Sequence, residues 1–439
     1  MTSRDYFKKK RIAVIGLGSH GEMVEDVKFL IKAGALVGIY DLKSESRLKT
    51  HLVFLRSIGL ANYICGSIPA DDLADMDLII LSHEYPRDPS FLADAKAKNI
   101  PIEYPETLFL KQAPPVTLCG VMGSCGKATV ISMLAPMLDA ACRAVDGQGF
   151  YVLDPDSGDG IISCLKKVKS GDIVLLRLVP AMMPELHAIR ISPQVAIFTS
   201  VPPAGSYIQS PFEILSYQTY NNFIIASHEI IDMTHSLKVQ PKAKMLRTKS
   251  SLIPEDWDFK GRGTHDRENA ALALQTARLF KLNDDEARFI LSRWKPLKGR
   301  LELVKKVKNV EFYNDSASVN CDATGAALQS LSEHKNAVLV FGGAKSAGDY
   351  RPLYSMLSKY AHTLVLLPGS GTMKERQAIG QLDNVHVRSV PSIEEAARMA
   401  LESAHKGDRV LFSPGFEAGG IDGSRKERGE RFVKAVRSL

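Results

Sequence analysis

Gly120-Val-Met-Gly123-Ser-Cys-Gly126-Lys127-Ala128-Thr129 lies between an apolar run, Val116-Thr-Leu-Cys119, and a helical pattern, Val130-Ile-Ser-Met-Leu-Ala-Pro-Met-Leu138. Strand, glycine-rich turn, lysine and helix in that order make a phosphate-binding loop. Glycines let backbone N–H groups curl around an anion, and the helix N-terminus adds partial positive charge. The lysine reaches the outer phosphates. Phosphate contacts are therefore expected from Gly123, Ser124, Gly126, Lys127 and Thr129. The residue after the lysine ordinarily carries a hydroxyl for a magnesium ion. Here it is Ala128, and Thr129 presents its hydroxyl about 100° further round the helix.

Upstream, Arg11-Ile-Ala-Val-Ile-Gly16-Leu-Gly18-Ser-His-Gly21 reads as a strand ending in GxGxxG. A helical stretch follows to Lys32, then the strand Leu36–Asp41. Asp41 stands about 20 residues beyond the last glycine, where a dinucleotide-binding fold places its ribose-binding acid. Taken alone, this suggests a nucleotide such as NAD. The second, lysine-bearing loop argues against a dehydrogenase, which seldom needs both. Asp77–Leu81 and a run from Ile102 add strands, and Lys111-Gln-Ala-Pro-Pro115 reads as a linker.

Downstream, continuous apolar runs at 173–178, 195–199 and 222–226 alternate with helical patterns, which predicts a parallel sheet covered on both faces. Gly261–Asn269 opens a helix over 270–282. From Lys298 the α/β alternation resumes, with strands at 310–314, 337–341, 363–367 and 409–413. Polar clusters follow three of them: Asn314-Asp315-Ser316 to Asn320, Gly342 to Asp349, and Ser413-Pro414-Gly415. Polar residues at strand C-termini mark ligand sites in α/β folds, and three in one segment predict a shared cleft. The basic pattern 425–437 reads as the solvated face of a closing helix.

At 439 residues the chain can hold two or three domains. A net charge of +7 suits anionic small molecules. No basic block is interleaved with aromatics, so nucleic acid is not expected as a partner. The six cysteines show no CxxC pairing and read as reduced thiols of a cytoplasmic protein. The opening ten residues do not read as a signal peptide, and no apolar stretch is long enough to insert into a membrane.

The order of these motifs resembles one family, the Mur ligases, over essentially the whole chain. Gly120–Thr129 is similar to the family's G-x-x-G-x-x-G-K-[ST]-T. His265-Asp-Arg-Glu-Asn269 resembles H-N-x-x-N, which puts Asn269 beside ATP. Pro296-Leu-Lys-Gly-Arg300-Leu-Glu resembles L-P-H-R-x-E, with Arg300 facing the ATP phosphates. Asn314-Asp315-Ser316 opens like N-D-S-K-A-T-N, and Asp315 would hold the ATP ribose. Lys345 is similar to the lysine that binds an incoming D-glutamate. Ser19, His20, Asp41 and Lys43 fall where the family seats a uridine diphosphate.

The resemblance implies an α/β chain of three domains. These are a Rossmann-like UDP-sugar-binding domain over 1–106, a P-loop-type ATP-binding domain with a parallel sheet over 107–296, and a Rossmann-like C-terminal domain over 297–439. It implies an ATP-dependent ligase of peptidoglycan precursor synthesis that joins an amino acid, D-glutamate in the family, to UDP-N-acetylmuramoyl-L-alanine through an acyl phosphate. Lys127 and Lys345 would then be the catalytic lysines, with cell-wall synthesis proteins as possible partners.

The metal positions depart from the pattern. The family's magnesium-binding glutamate aligns with Arg177, a charge reversal. Its N-x-x-x-D-H aligns with Ser200-Val-Pro-Pro-Ala-Gly205, and its carbamylated lysine would fall within Ser210–Ile214, where there is none. Ala317-Ser-Val319 and Ala418 replace further polar residues. Magnesium, the family's second cofactor, therefore stands in question. Two expectations follow: an active ligase, or a homologue that binds nucleotide or UDP-sugar without ligation, Arg177 and Lys127 replacing the metal's charge.

Overall fold

The computed structural model describes residues 3–18, 21–83, 85, 89–155, 157–179, 182–200, 210–236, 241–261, 263–332, 334–344, 349–418 and 424–439. Three sheets succeed one another along the chain, each layered with helices.

The first sheet contains β1 (Arg11–Ile15), β2 (Leu36–Asp41), β3 (Asn62–Cys65), β4 (Leu78–Leu81) and β5 (Ile102–Glu103) in the order β3-β2-β1-β4-β5. Every pairing is parallel. β1 and β4 are buried almost throughout, which is why they read as unbroken apolar runs. The chain winds outward from β1 in both directions, so a crevice opens at the C-terminal ends of β1 and β4. The glycine turn starting at Gly16 lies there.

The second sheet, β6 (Thr117–Met122), β7 (Phe150–Leu153), β8 (Ile173–Arg177), β9 (Val195–Phe198), β10 (Phe223–Ser227) and β11 (Lys244–Thr248), runs β11-β10-β9-β6-β8-β7, again all parallel. β6 is central and feeds the phosphate loop into the helix Lys127–Arg143. That helix buries Val130, Met133, Leu134, Met137 and Leu138 against the sheet and against the helix Gly263–Leu279. The latter helix starts at Gly263, earlier than its apolar pattern indicates. His265 to Asn269 are thus helical residues and not a preceding loop. The segment expected as a linker is helical through Gln112.

The third sheet runs β12-β13-β17-β14-β15-β16, from β12 (Glu302–Val307), β13 (Val310–Asn314), β14 (Ala337–Phe341), β15 (Ala361–Leu366), β16 (His386–Ser389) and β17 (Arg409–Phe412). Only the β12–β13 hairpin is antiparallel. β17 lies between β13 and β14, so the three polar clusters expected to share a cleft emerge side by side. The closing helix Arg425–Arg437 is not merely a solvated face, because Arg428, Phe432 and Val436 are buried. Among the described residues no helix is long and apolar enough to cross a membrane.

Candidate functional site

The phosphate loop takes its shape from two glycines. Gly123 and Gly126 have φ of +138° and +83°, a region that side chains disfavour. A Cβ at Gly126 would meet Asn269 Oδ1 at 2.8 Å, and one at Gly123 would meet Thr199 Oγ1 at 2.3 Å. Asn269, far along the sequence, is therefore pressed onto the loop by the helix that carries it. Thr199 and Ser200, at the end of the neighbouring β9, hold the loop from the other side. Ser200 Oγ accepts from Cys125 N and lies against Ser124 Oγ, each at 3.0 Å, and the Thr199 hydroxyl faces the Met122 and Cys125 carbonyls. Sequence reasoning missed these two hydroxyls, although their place at a strand end beside β6 was a usable signal.

Lys127 is buried at the helix start. Its ammonium donates to the carbonyls of Gly123 and Ser124, so it bridges the loop's own backbone. Thr129 is also buried on the first helical turn.

Arg177 ends β8, paired in register with Val121 of β6. It therefore stands at the same sheet edge as the loop. Its Nη1 donates to Asp154 Oδ1 at 2.8 Å, and both side chains are largely buried. Arg300 comes from the third domain and reaches the same place. Burial pushes its guanidinium below the ordinary value. Asp315 opposes that shift, and the like charges of Arg177 and Arg425 add to it, with Cys125 of the loop also acting on it.

Asp315 is buried and hydrogen-bonded at both oxygens. Its Oδ2 accepts from Ser413 Oγ at 2.7 Å, and its Oδ1 accepts from Leu301 N at 3.2 Å. Burial pushes its carboxyl up to about 6 against those hydrogen bonds and Arg300. Leu301 has φ of +46°, a strained conformation that the Asp315 bond helps to hold. Asp315 thus braces the segment that carries Arg300.

In the first domain Asp41 is equally committed. Its carboxylate accepts from Leu17 N (3.0 Å), Lys43 N (2.9 Å) and the Tyr85 hydroxyl (2.9 Å), with Lys43 Nζ at 3.7 Å. The acid builds the glycine turn and is paired there with the partly exposed Lys43. Ser19, His20 and Lys345 lie outside the described residues, as do residues 201–209, where the metal-binding histidine was sought.

A divalent cation needs oxygen donors. Among the described residues the charged side chains around the loop are Lys127, Arg177 and Arg300, with Ala128 where a hydroxyl would stand, and the oxygen donors are neutral: the hydroxyls of Ser124, Thr199 and Ser200 and the Asn269 amide. The nearby carboxylates, Asp154 and Asp315, are bound to Arg177 and to Ser413 with Leu301. Among the described residues, a set of three cations and neutral hydroxyl and amide oxygens, with both carboxylates engaged, is a poor fit to magnesium, which is ordinarily held through carboxylates.

Residues 299–416 match the family described as "Mur ligase, glutamate ligase domain". Along its length the chain is 28% identical to a UDP-N-acetylmuramoylalanine–D-glutamate ligase of Streptococcus pyogenes, covering 97% of this chain and 96% of that protein. Its fold matches the MurC UDP-N-acetylmuramate–alanine ligase of Thermotoga maritima, with a TM-score of 0.61, 16% identity, and 98% and 99% of the two chains covered. It also matches a MurF ligase of Thermotoga maritima in complex with ADP, with a TM-score of 0.57, 16% identity, and 99% and 96% covered. The C-terminal part thus carries a Mur ligase, glutamate ligase domain, and the chain is similar to D-glutamate ligases of that family from end to end.

Proposed function

We propose that this chain acts in peptidoglycan precursor synthesis as an ATP-dependent amide ligase, joining an amino acid, D-glutamate by its relatives, to UDP-N-acetylmuramoyl-L-alanine. The observation that carries the reading is the phosphate loop with Arg300 brought to it from another domain. Lys127 on the loop and Arg300 near enough to interact with its Cys125 supply the positive charge that phosphoryl transfer requires of groups that stabilise spreading negative charge. The substrate carboxylate would take the γ-phosphoryl group of ATP and release ADP. The amine nitrogen would then attack the acyl carbon, forming the C–N bond, losing a proton and expelling phosphate. Lys43 at the first-domain crevice suits the anionic UDP moiety, and Lys345 is the residue proposed to receive the amino acid. The reading carries a cytoplasmic location with it, since the nucleotide-linked substrate is made there.

A second reading is favoured by one specific observation, the Arg177–Asp154 pair at the edge where the family holds its metal. On that reading the chain binds nucleotide and UDP-sugar without ligation. Phosphate release from ATP, with and without Mg²⁺, in the presence of UDP-N-acetylmuramoyl-L-alanine and D-glutamate decides between them. Release that depends on both substrates is the expected result. Calorimetric binding of ATP and the UDP-sugar with no phosphate release would establish the second reading instead.

A further inference from the structure

Three cations are arranged around the phosphate loop from three separate elements. Lys127 comes from the helix after β6. Arg177 comes from the end of β8, one strand over. Arg300 comes across the domain boundary, and Arg425, at the start of the closing helix, is close enough to act on it. Like charges do not gather in a partly buried cleft without compensation. Asp154 compensates Arg177 at 2.8 Å, and Glu417 accepts from Arg425 at 2.6 and 3.0 Å. The Asp315 carboxyl is occupied bracing Leu301 and Ser413. A polyanion entering here meets guanidinium groups, whose planar forks match phosphate oxygens. A hydrated divalent cation entering with it meets the same guanidinium groups as repulsion.

We propose that this cleft takes nucleotide phosphates free of a divalent cation, with Arg177, Lys127 and Arg300 supplying the positive charge. The inference rests on the reading of the loop as a nucleotide site and adds the form of nucleotide that it takes. The bond to Asp154 orients the Arg177 guanidinium at the sheet edge, so the ion pair is a preset half of the phosphate site. Added Mg²⁺ then competes with the protein for the nucleotide and does not assist it.

The test is calorimetric titration of the full chain with ADP, once in excess EDTA and once in excess Mg²⁺. Binding in EDTA that is at least as tight as in Mg²⁺ is expected. Arg177→Gln should weaken the EDTA affinity by about tenfold or more, the scale of a lost charge-assisted bidentate contact. Arg177→Lys keeps the charge but loses the fork and should bind with an affinity between those of wild type and Arg177→Gln, while thermal melts verify that each variant is folded. Tighter binding in Mg²⁺ by about tenfold, or an Arg177→Gln variant with unaltered EDTA affinity, would overturn the proposal while leaving the nucleotide site standing. An absence of ADP binding in both buffers would overturn the nucleotide reading itself, so the two failures are told apart.

Discussion

A single added methyl group is enough to test the phosphate loop. Gly126 sits at φ +83°, and a Cβ there would meet Asn269 Oδ1 at 2.8 Å. Gly126→Ala therefore costs about 1–2 kcal/mol in backbone strain and also displaces the side chain that the helix presses onto the loop. The damage is local, since the neighbouring core of Val130, Met133 and Leu134 is untouched. ADP affinity by calorimetry is expected to fall by about tenfold while the melting temperature shifts only a few degrees. Unchanged affinity would mean that the nucleotide does not use this loop. Asp41 and Asp315 are likewise tied into the protein. Both are acids at strand ends, and both spend their oxygens on the protein itself: Asp41 on Leu17, Lys43 and Tyr85, and Asp315 on Leu301 and Ser413. Their chemistry lies in positioning Lys43 and Arg300.

Among the elements, the closing helix Arg425–Arg437 is held at its start by a reciprocal cap. Ser424 Oγ accepts from Glu427 N at 3.2 Å, and Glu427 Oε2 accepts from Ser424 N at 2.7 Å. Beyond the cap Arg428 is wholly buried and donates to the Phe416 and Ser316 carbonyls, tying the helix to the strand ends of the third sheet. Ser424→Ala should destabilise the chain by about 1 kcal/mol in a thermal or urea melt, and Ser424→Thr should restore most of that. A neutral Ser424→Ala would show that the first turn is held by Arg428 alone. The central strands and the loop were legible in sequence because β1, β4, β6, β8, β14 and β17 are buried on both faces and so read as apolar runs. The edge strands β3, β12 and β16 were not, since exposure leaves them partly polar, and β7 is apolar but only four residues long. The early start at Gly263 was hidden because Gly263 to Asn269 are exposed or half-buried and carry no apolar periodicity. Arg177 was visible as a charge reversal, whereas its partner Asp154 depends on strand order, which no local pattern reveals.

At the scale of the whole molecule one buried acid joins two domains. Asp26, on the helix Val24–Lys32 of the first domain, is 1% exposed and accepts from Ile161 N at 3.0 Å and Ser163 N at 2.8 Å in the second. Gly160 makes room for it: at φ +75° a Cβ there would meet Asp26 Oδ1 at 2.8 Å. No sequence pattern points to a contact that spans so much of the chain. Burial pushes the Asp26 carboxyl up to about 7, with the charge of Glu106 in the same direction and the backbone N–H donors opposing. In the unfolded chain the same carboxyl titrates near 4. Between those values the folded protein retains a proton that the unfolded chain has lost. Asp26 therefore contributes its full share of stability below about pH 4, and that share is lost as the pH rises towards 7. Asp315, pushed up to about 6, acts in the same sense and ends its contribution earlier. Asp26→Asn cannot ionise, so its contribution does not vary with pH. Melting temperatures of wild type and variant, measured from pH 4.5 to 8, should converge or cross as the pH rises, with wild type losing more than the variant. A constant offset across that range would show that Asp26 is ionised throughout, held as a carboxylate by its two backbone donors.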